Sequence, residues 1–157
     1  MKNFRIALAA TALLSVAAPF AAQAQSTYDD TQQLIAQIQS DKRAVVLKAM
    51  ALDDAQMTAF TPIYDEYEGK AKKLNDQFLK LVDDYAAKYG AMTDADATSM
   101  LKMKMQIEQD REALKQTYTK KVAKVLPPVK ALRYAQIETR LDNMIRREVY
   151  SLIPLAQ

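Results

Sequence analysis

Residues 57–85, MTAFTPIYDEYEGKAKKLNDQFLKLVDDY, decide the fold of this chain. Their apolar side chains recur at alternating steps of three and four residues, without interruption. The nine positions are Met57, Phe60, Tyr64, Tyr67, Ala71, Leu74, Phe78, Leu81 and Tyr85. This heptad spacing predicts a long helix that packs lengthwise against another helix. We expect the helix to cover about residues 54–89, with Pro62 bending it near its start rather than ending it.

The composition favours helices along the rest of the chain as well. Only two glycines occur in 157 residues, whereas the strong helix formers alanine, leucine, lysine and glutamine are abundant. Little is left to build strands and tight turns. We therefore predict an all-α fold with four helices, the other three covering about residues 31–51, 94–125 and 128–152.

Local signals mark the helix boundaries. Thr93 and Asp96 have the spacing of a capping box at the start of the third helix. Gly90 suits the left-handed position that often follows a helix end. Pro128 suits the first turn of the fourth helix. Because the second and third helices are similar in length and closely connected, we expect them to form an antiparallel hairpin.

The third and fourth helices each carry an apolar face. On the third helix it comprises Met100, Met103, Ile107, Leu114, Tyr118, Val122 and Val125; on the fourth, Leu132, Ala135, Ile137 or Glu138, Leu141, Ile145 and Val149. Arg111 interrupts the first of these faces, and such a polar break can fix the register of packed helices. Further apolar residues lie off the main faces and need another partner, either the first and fourth helices or a second copy of the chain; they are Ile63, Val82, Leu101 and Met105. We expect the elongated chain to pair as a homodimer.

The first 24 residues have the layout of a secretory signal peptide. Lys2 and Arg5 precede a run of small and apolar residues, and Ala22-Gln23-Ala24 supplies a cleavage signal. We predict cleavage near Ala24 and a periplasmic protein whose single helical domain covers residues 25–157. A retained N-terminal anchor is the alternative. Without Lys2 and Arg5 the formal charge falls by two from +3, so nucleic acid is not an expected partner.

Enzymatic chemistry is not expected from this sequence. The chain contains no histidine and no cysteine, which removes the commonest general base, the thiol nucleophile and the best zinc ligands. Adjacent carboxylates such as Asp83 and Asp84 do not face each other on a helix. We predict no enzyme activity and no cofactor. One metal hypothesis remains, because the thioethers of Met100, Met103 and Met105 are of a type that binds Cu(I), although they also suit apolar packing.

Methionine and tyrosine side chains suggest a different kind of site. Both suit surfaces that accept many partners, because methionine is flexible and tyrosine is amphipathic. These methionines and tyrosines form a stripe along the second and third helices. If part of this stripe remains exposed, it becomes a candidate surface for binding unfolded chains; burial of the stripe in the core is the alternative. The candidate residues are Met57, Tyr64, Tyr67, Phe78, Tyr85, Met100, Met103 and Tyr118.

Two short motifs add a family resemblance. Leu52-Asp53-Asp54-Ala55-Gln56 resembles the L-T-x-x-Q motif of the Spy/CpxP-like family of small periplasmic helical proteins, with Asp53 in place of threonine. Both residue types are good N-caps, so the same physical role is expected. At the place of the family's second motif, Leu126, Pro127 and Pro128 lack the threonine and the glutamine. The order of signal peptide, short helix, motif, long hairpin and final helix is also similar.

The resemblance implies a cradle-like homodimer that binds unfolded or misfolded envelope proteins without ATP, as a chaperone or holdase. A regulatory adaptor that docks on the periplasmic domain of a stress-sensor kinase is the alternative. Charge asymmetry fits such docking, since residues 53–96 carry ten acids against five lysines, while residues 115–147 carry nine basic residues against two acids. Metal-sensing relatives rely on histidines that this chain lacks.

Overall fold

The computed structural model describes residues 41–156, which are almost entirely helical. Within them, residues 41–50 belong to helix α1, followed by α2 (Asp54–Lys88), a 3-10 turn (Tyr89–Ala91), α3 (Asp94–Val125) and α4 (Pro128–Leu152). No strand occurs in this part of the chain, so the all-α prediction is confirmed there. The predicted signal peptide (1–24) and the predicted helical residues 31–40 lie outside the described residues.

Helix α2 begins at the cap that the sequence predicted. The Asp53 carboxylate accepts a hydrogen bond from the backbone N–H of Gln56, with 2.8 Å between Oδ1 and N. This bond satisfies one of the N–H groups that every helix start leaves without an intrahelical partner. Just before the cap, Ala51 has a φ of 48°, in the left-handed region that few side chains adopt. The chain therefore turns sharply between α1 and α2.

The starts of α3 and α4 also follow the predicted signals. Thr93 and Asp96 form the reciprocal capping box of α3, and Pro128 lies in the first turn of α4. The prediction for Gly90 is wrong, because no glycine among the described residues has a positive φ. Gly90 instead lies within the 3-10 turn Tyr89–Ala91, which tightens the end of α2 without a left-handed residue.

Contacts between the helices position the core. Helix α2 packs on α3, and α3 packs on α4. Ion pairs join Glu66 to Lys121 with 2.7 Å between oxygen and nitrogen, and join Lys88 to Asp96. Both ion pairs therefore join α2 to α3.

An aromatic cluster forms the centre of the core. Phe60 stacks on Tyr64 with 5.5 Å between ring centroids, and Tyr134 of α4 meets both rings edge-on. Tyr67 packs on Tyr118 of α3 at 5.5 Å. Such pairs stabilise a core beyond the burial of their area alone. The other buried members of this cluster are Val46, Met50, Val122, Leu126 and Ala131.

The buried face of α4 agrees with the predicted one except near its start. Glu138 and Val149 are buried, and the other predicted members are half-buried, which are Ala135, Ile137, Leu141 and Ile145. Leu132 is instead 60% exposed, and Ala131 and Tyr134 are buried beside it. The face that meets the core continues through Glu138 to Val149, since these positions share one side of a helix. Within residues 41–156, no helix combines the length and apolar character needed to cross a membrane.

Candidate functional site

The tyrosines of the predicted binding stripe are core residues. Tyr64, Tyr67 and Tyr118 are buried within this single chain, where they pack on Phe60 and Tyr134. Their burial is the alternative that the sequence left open, and client binding by these three residues stays a prediction. The physical reason for the burial is that α1 and α4 also contribute side chains to this cluster and cover the face that α2 and α3 alone leave open.

The other stripe residues stay partly accessible. Met57, Phe78, Tyr85 and Met100 are half-buried. Phe78 meets the Tyr150 ring edge-on at 5.8 Å. The Tyr85 hydroxyl donates a hydrogen bond to the Pro154 carbonyl oxygen at 2.8 Å, which ties the C-terminal tail to α2. Tyr85 thus has an intramolecular role in addition to any surface role.

A different apolar surface lies on α3 near its start. Leu101 is 59% exposed and Met105 is 52% exposed, and the two lie one turn apart on the same side of the helix. We call this pair the α3 patch. Met103, the predicted binding residue that is 41% exposed, lies on another side of α3. Leu101 and Met105 were visible in the sequence as apolar residues off the main stripe, which was the signal that could have identified them.

A second exposed apolar surface lies near the start of α4. Val129 is 76% exposed and lies beside Leu132, and we call this pair the α4 patch. A shallow hollow adjoins it and is lined by Ala49, Arg133, Gln136, Ile137 and Arg140 in addition to the pair. The Arg133 guanidinium donates to the Ala49 carbonyl oxygen at 2.7 Å, which fixes the side of the hollow against α1.

The motif residues have structural positions. Leu52 is half-buried against the aromatic cluster, and Gln56 gives its backbone N–H to the Asp53 cap. At the second motif, Leu126 is buried and its N–H donates to the Val122 carbonyl, while Pro127 and Pro128 are exposed. These residues therefore set helix ends, as the sequence predicted for the first motif.

A cavity of about 350 Å³ opens between the helices below the aromatic cluster. Helices α2, α3 and α4 supply most of its wall, and Lys42 of α1 closes one end. Its apolar lining comprises Ala71, Phe78, Ile107, Leu114, Ile145, Val149 and the Tyr67 and Tyr150 rings. Small-molecule sites are commonly of this size and combine an apolar lining with a few polar groups.

A buried ion pair lies at the end of the cavity that meets the core. Lys42 Nζ is 2.9 Å from Glu138 Oε2 and 2.8 Å from Glu68 Oε1. Burial raises the pKa of the Glu138 carboxyl, although Lys42 acts in the opposite direction. For the Lys42 ammonium, burial lowers the pKa, but Glu138 and Glu68 outweigh this effect and raise it overall. Sequence reasoning missed this cluster because Lys42 and Glu138 are far apart in the chain.

Arg111 is the half-buried cation at the middle of the cavity wall. The sequence identified it only as an interruption of the α3 stripe. Burial lowers the pKa of its guanidinium, while Asp142, the nearest opposing influence, acts to raise it. Among residues 41–156, no carboxylate oxygen lies within the 4.0 Å of an ion pair to this guanidinium.

Residues 41–156 contain no cluster of three or more carboxylates, histidines or cysteines placed to hold a metal ion. Met100 is half-buried, and Met103 and Met105 are exposed. Cu(I) binding by these three thioethers stays a prediction, which a Cu(I) titration tests.

Comparison with protein families, curated proteins and solved structures finds no match to this chain. The resemblance to the Spy/CpxP-like family therefore stays a prediction.

Proposed function

We propose that this chain is an ATP-independent chaperone, or holdase, that binds unfolded or misfolded envelope proteins in the periplasm. The α3 patch is the observation that carries the proposal, because it leaves a leucine and a methionine exposed on one side of a helix. Methionine adapts to apolar segments of different shapes, so an exposed methionine suits a binder of many partners. The site residues proposed here are Leu101 and Met105, while the predicted residues Met100 and Met103 lie on another side of α3.

Two lysines beside the α3 patch also support its proposed role as the binding surface. Lys102 and Lys104 flank the exposed side chains, although Lys104 also pairs with Glu108 at 2.8 Å. Cations beside an apolar surface attract acidic segments over a longer range than apolar contact alone. Binding by apolar contact and screened charge is weak enough per residue to allow release without ATP.

We further propose that α2 and α3 form an antiparallel hairpin within an elongated, cradle-like homodimer. The ion pairs of Glu66 with Lys121 and of Lys88 with Asp96 support the hairpin. For the dimer we assign the α4 patch, because the branched side chains of Val129 and Leu132 have few rotamers and suit one fixed partner surface. Export and cleavage near Ala24 belong to the same proposal and rest on the sequence.

The test is light scattering of an aggregating client with stoichiometric amounts of protein. The double variant Leu101→Ser/Met105→Ser should lose most of the suppression. A matched control is Met144→Ser/Leu155→Ser, which removes one methionine and one leucine that are more exposed than Met105 and Leu101 and lie elsewhere. It should suppress aggregation like the parent chain. No suppression by the parent chain at several ratios, or equal loss in both variants, would contradict the proposal.

Sedimentation measures the dimer separately. Leu132→Glu places a charge in the α4 patch and should shift the chain to monomer, whereas Leu101→Glu should leave the dimer intact. A parent chain that sediments as a monomer at all concentrations tested removes the dimer from the proposal but leaves the α3 patch untouched.

A regulatory adaptor that docks on a sensor-kinase periplasmic domain is the second candidate. The burial of Tyr64, Tyr67 and Tyr118 favours it, because a sealed stripe leaves less surface for generic clients. Saturable binding to one such domain, together with no effect on aggregating clients, would favour the adaptor over the holdase.

A further inference from the structure

The cavity between α2, α3 and α4 is lined by many charged side chains. Six cationic and four acidic side chains line it. Five of the cations have ion-pair partners, which are Glu68 and Glu138 for Lys42, Asp76 for Lys72, Glu108 for Lys104, Glu112 and Asp142 for Lys115, and Asp142 and Glu108 for Arg146. Arg111 is the one cation of the cavity wall that forms no ion pair with residues 41–156.

The side chains around Arg111 indicate which kind of ligand would bind to its guanidinium. The Tyr67 and Tyr150 rings line the same cavity. The apolar part of the wall also includes Phe78 and Ile107 from α2 and α3 and Val149 from α4. A half-buried cation without a direct counter-ion is costly, so an anion that reaches it is bound more strongly than in water.

We propose that this cavity binds an amphiphilic monocarboxylate, with the carboxylate on the Arg111 guanidinium and the apolar chain against Phe78, Ile107 and Val149. A planar guanidinium matches a carboxylate through two parallel hydrogen bonds, which gives both affinity and orientation. This site is separate from the α3 patch and does not depend on the proposed holdase activity.

The acidic residues of the wall narrow the ligand class. Glu68, Glu108, Glu138 and Asp142 also line the cavity, so a ligand with several negative charges meets repulsion as well as attraction. One unpaired cation matches one negative charge. The volume of about 350 Å³ suits a chain of moderate length rather than a whole diacyl lipid.

Isothermal titration of the parent chain provides the first test and needs no variant. The probes are hexanoate, octanoate, decanoate, decanol and decylammonium, each below the concentration at which it forms micelles. Affinity should rise about threefold to fourfold for each added methylene until the cavity is filled. Decanoate should bind about 10- to 100-fold more tightly than decanol, because only the carboxylate makes charge-assisted hydrogen bonds. Equal affinity for the three ten-carbon probes would overturn the proposal.

Variants locate the site. Arg111→Gln should lower decanoate affinity to that of decanol, and Arg111→Lys should recover only part of the loss, because an ammonium lacks the planar fork. Arg147→Gln is the matched control, since Arg147 is an exposed arginine of α4 outside the cavity wall, and it should bind decanoate like the parent chain. Ile145→Trp fills the cavity while keeping Arg111 and should abolish binding of the long-chain probes.

Circular dichroism and thermal unfolding confirm that each variant is folded before titration. Decanoate binding that survives both Arg111→Gln and Ile145→Trp would place the ligand elsewhere and overturn the proposal. Loss of holdase activity in Leu101→Ser/Met105→Ser with unchanged decanoate binding would show that the two sites are independent.

Discussion

Lys42 Nζ lies 2.9 Å from Glu138 Oε2, and this contact brings α1 and α4 together across 96 positions of the sequence. Glu138 is 1% exposed, and its second oxygen, Oε1, has no hydrogen-bond partner among the described residues. A buried carboxylate in this position depends on its cation, because the desolvation penalty of the charge is otherwise unopposed. The contact therefore links the core to the cavity.

Replacement of Lys42 by methionine should destabilise the chain by about 3–5 kcal/mol near neutral pH, since it leaves Glu138 buried without its partner. The loss should depend on pH. Burial already raises the Glu138 pKa, and removal of Lys42 raises it further. A raised pKa gives stability that is present below the unfolded value of 4.5 and is lost as pH rises through the folded pKa. The free energy of unfolding of Lys42→Met should therefore fall further below that of the parent chain at pH 8 than at pH 4.

Urea unfolding at several pH values measures this effect. Arg43→Met is the control, because it breaks only the exposed pair with Asp65 and should change the free energy of unfolding by less than about 1 kcal/mol. The double variant Lys42→Met/Glu138→Met should recover most of the stability. A small loss for Lys42→Met that does not vary with pH would show that Glu138 is not buried as described.

Three core tyrosines have hydroxyl groups without a hydrogen-bond partner among residues 41–156. The hydroxyls of Tyr64, Tyr118 and Tyr134 are buried and make no hydrogen bond to the described residues. Burial raises the pKa of Tyr134 well above its usual value, so the phenol stays neutral. Tyr134→Phe removes the unsatisfied hydroxyl and keeps the ring, and it should stabilise the chain by about 1 kcal/mol.

Thermal and urea unfolding check this expectation. Tyr85→Phe is the matched control, because its hydroxyl donates to Pro154 and its loss should lower stability by about 0.5–1.5 kcal/mol. If Tyr134→Phe instead destabilises the chain as much as Tyr85→Phe does, then the Tyr134 hydroxyl has a partner that the described contacts do not include.

The sequence predicted local features more accurately than tertiary ones. The Asp53 cap, the Thr93–Asp96 capping box and the end of α3 at Val125 depend on neighbours a few residues away, so their signals are complete in the chain. Only the tight turn at Gly90 took a different geometry.

Only the start of the buried face of α4 was predicted incorrectly. Leu132 was expected to face the core, but the core takes Tyr134, whose ring meets Phe60 and Tyr64 edge-on. Burial of Glu138 on the same face requires Lys42, whose proximity no local pattern indicates. The cavity around Arg111 likewise draws its wall from separate helices, so its existence depends on packing.

The cap of α2 gives a direct test of the first motif. Asp53→Ala should lower the free energy of unfolding by about 0.5–2 kcal/mol, because the Gln56 N–H loses its acceptor. Asp53→Thr should stay close to the parent chain, since threonine also caps. Asp83→Ala, an exposed acid near the other end of the same helix, serves as control and should change stability by less than about 0.5 kcal/mol. A loss in Asp53→Thr equal to that in Asp53→Ala would show that more than a side-chain acceptor is needed.

The pairing of α2 with α3 is tested by the titration of one carboxyl group. The Lys121 ammonium, which donates to Glu66 at 2.7 Å, lowers the pKa of the Glu66 carboxyl to about 2, with additional help from Tyr118 and Lys70. A lowered pKa gives stability that is present above the unfolded value of 4.5 and is lost as pH falls through about 2. We expect carboxyl NMR of the parent chain to show Glu66 titrating well below the other glutamates.

Lys121→Gln should return the Glu66 pKa most of the way toward its usual value, because it removes the largest cause of the shift. Lys120→Gln removes the neighbouring lysine, which has no ion pair among the described contacts, and should leave the Glu66 titration unchanged. A difference between the two variants would show that Glu66 of α2 lies beside Lys121 near the end of α3, which is the contact expected of the proposed antiparallel hairpin. Equal effects of the two variants would contradict the hairpin on which the proposed cradle depends.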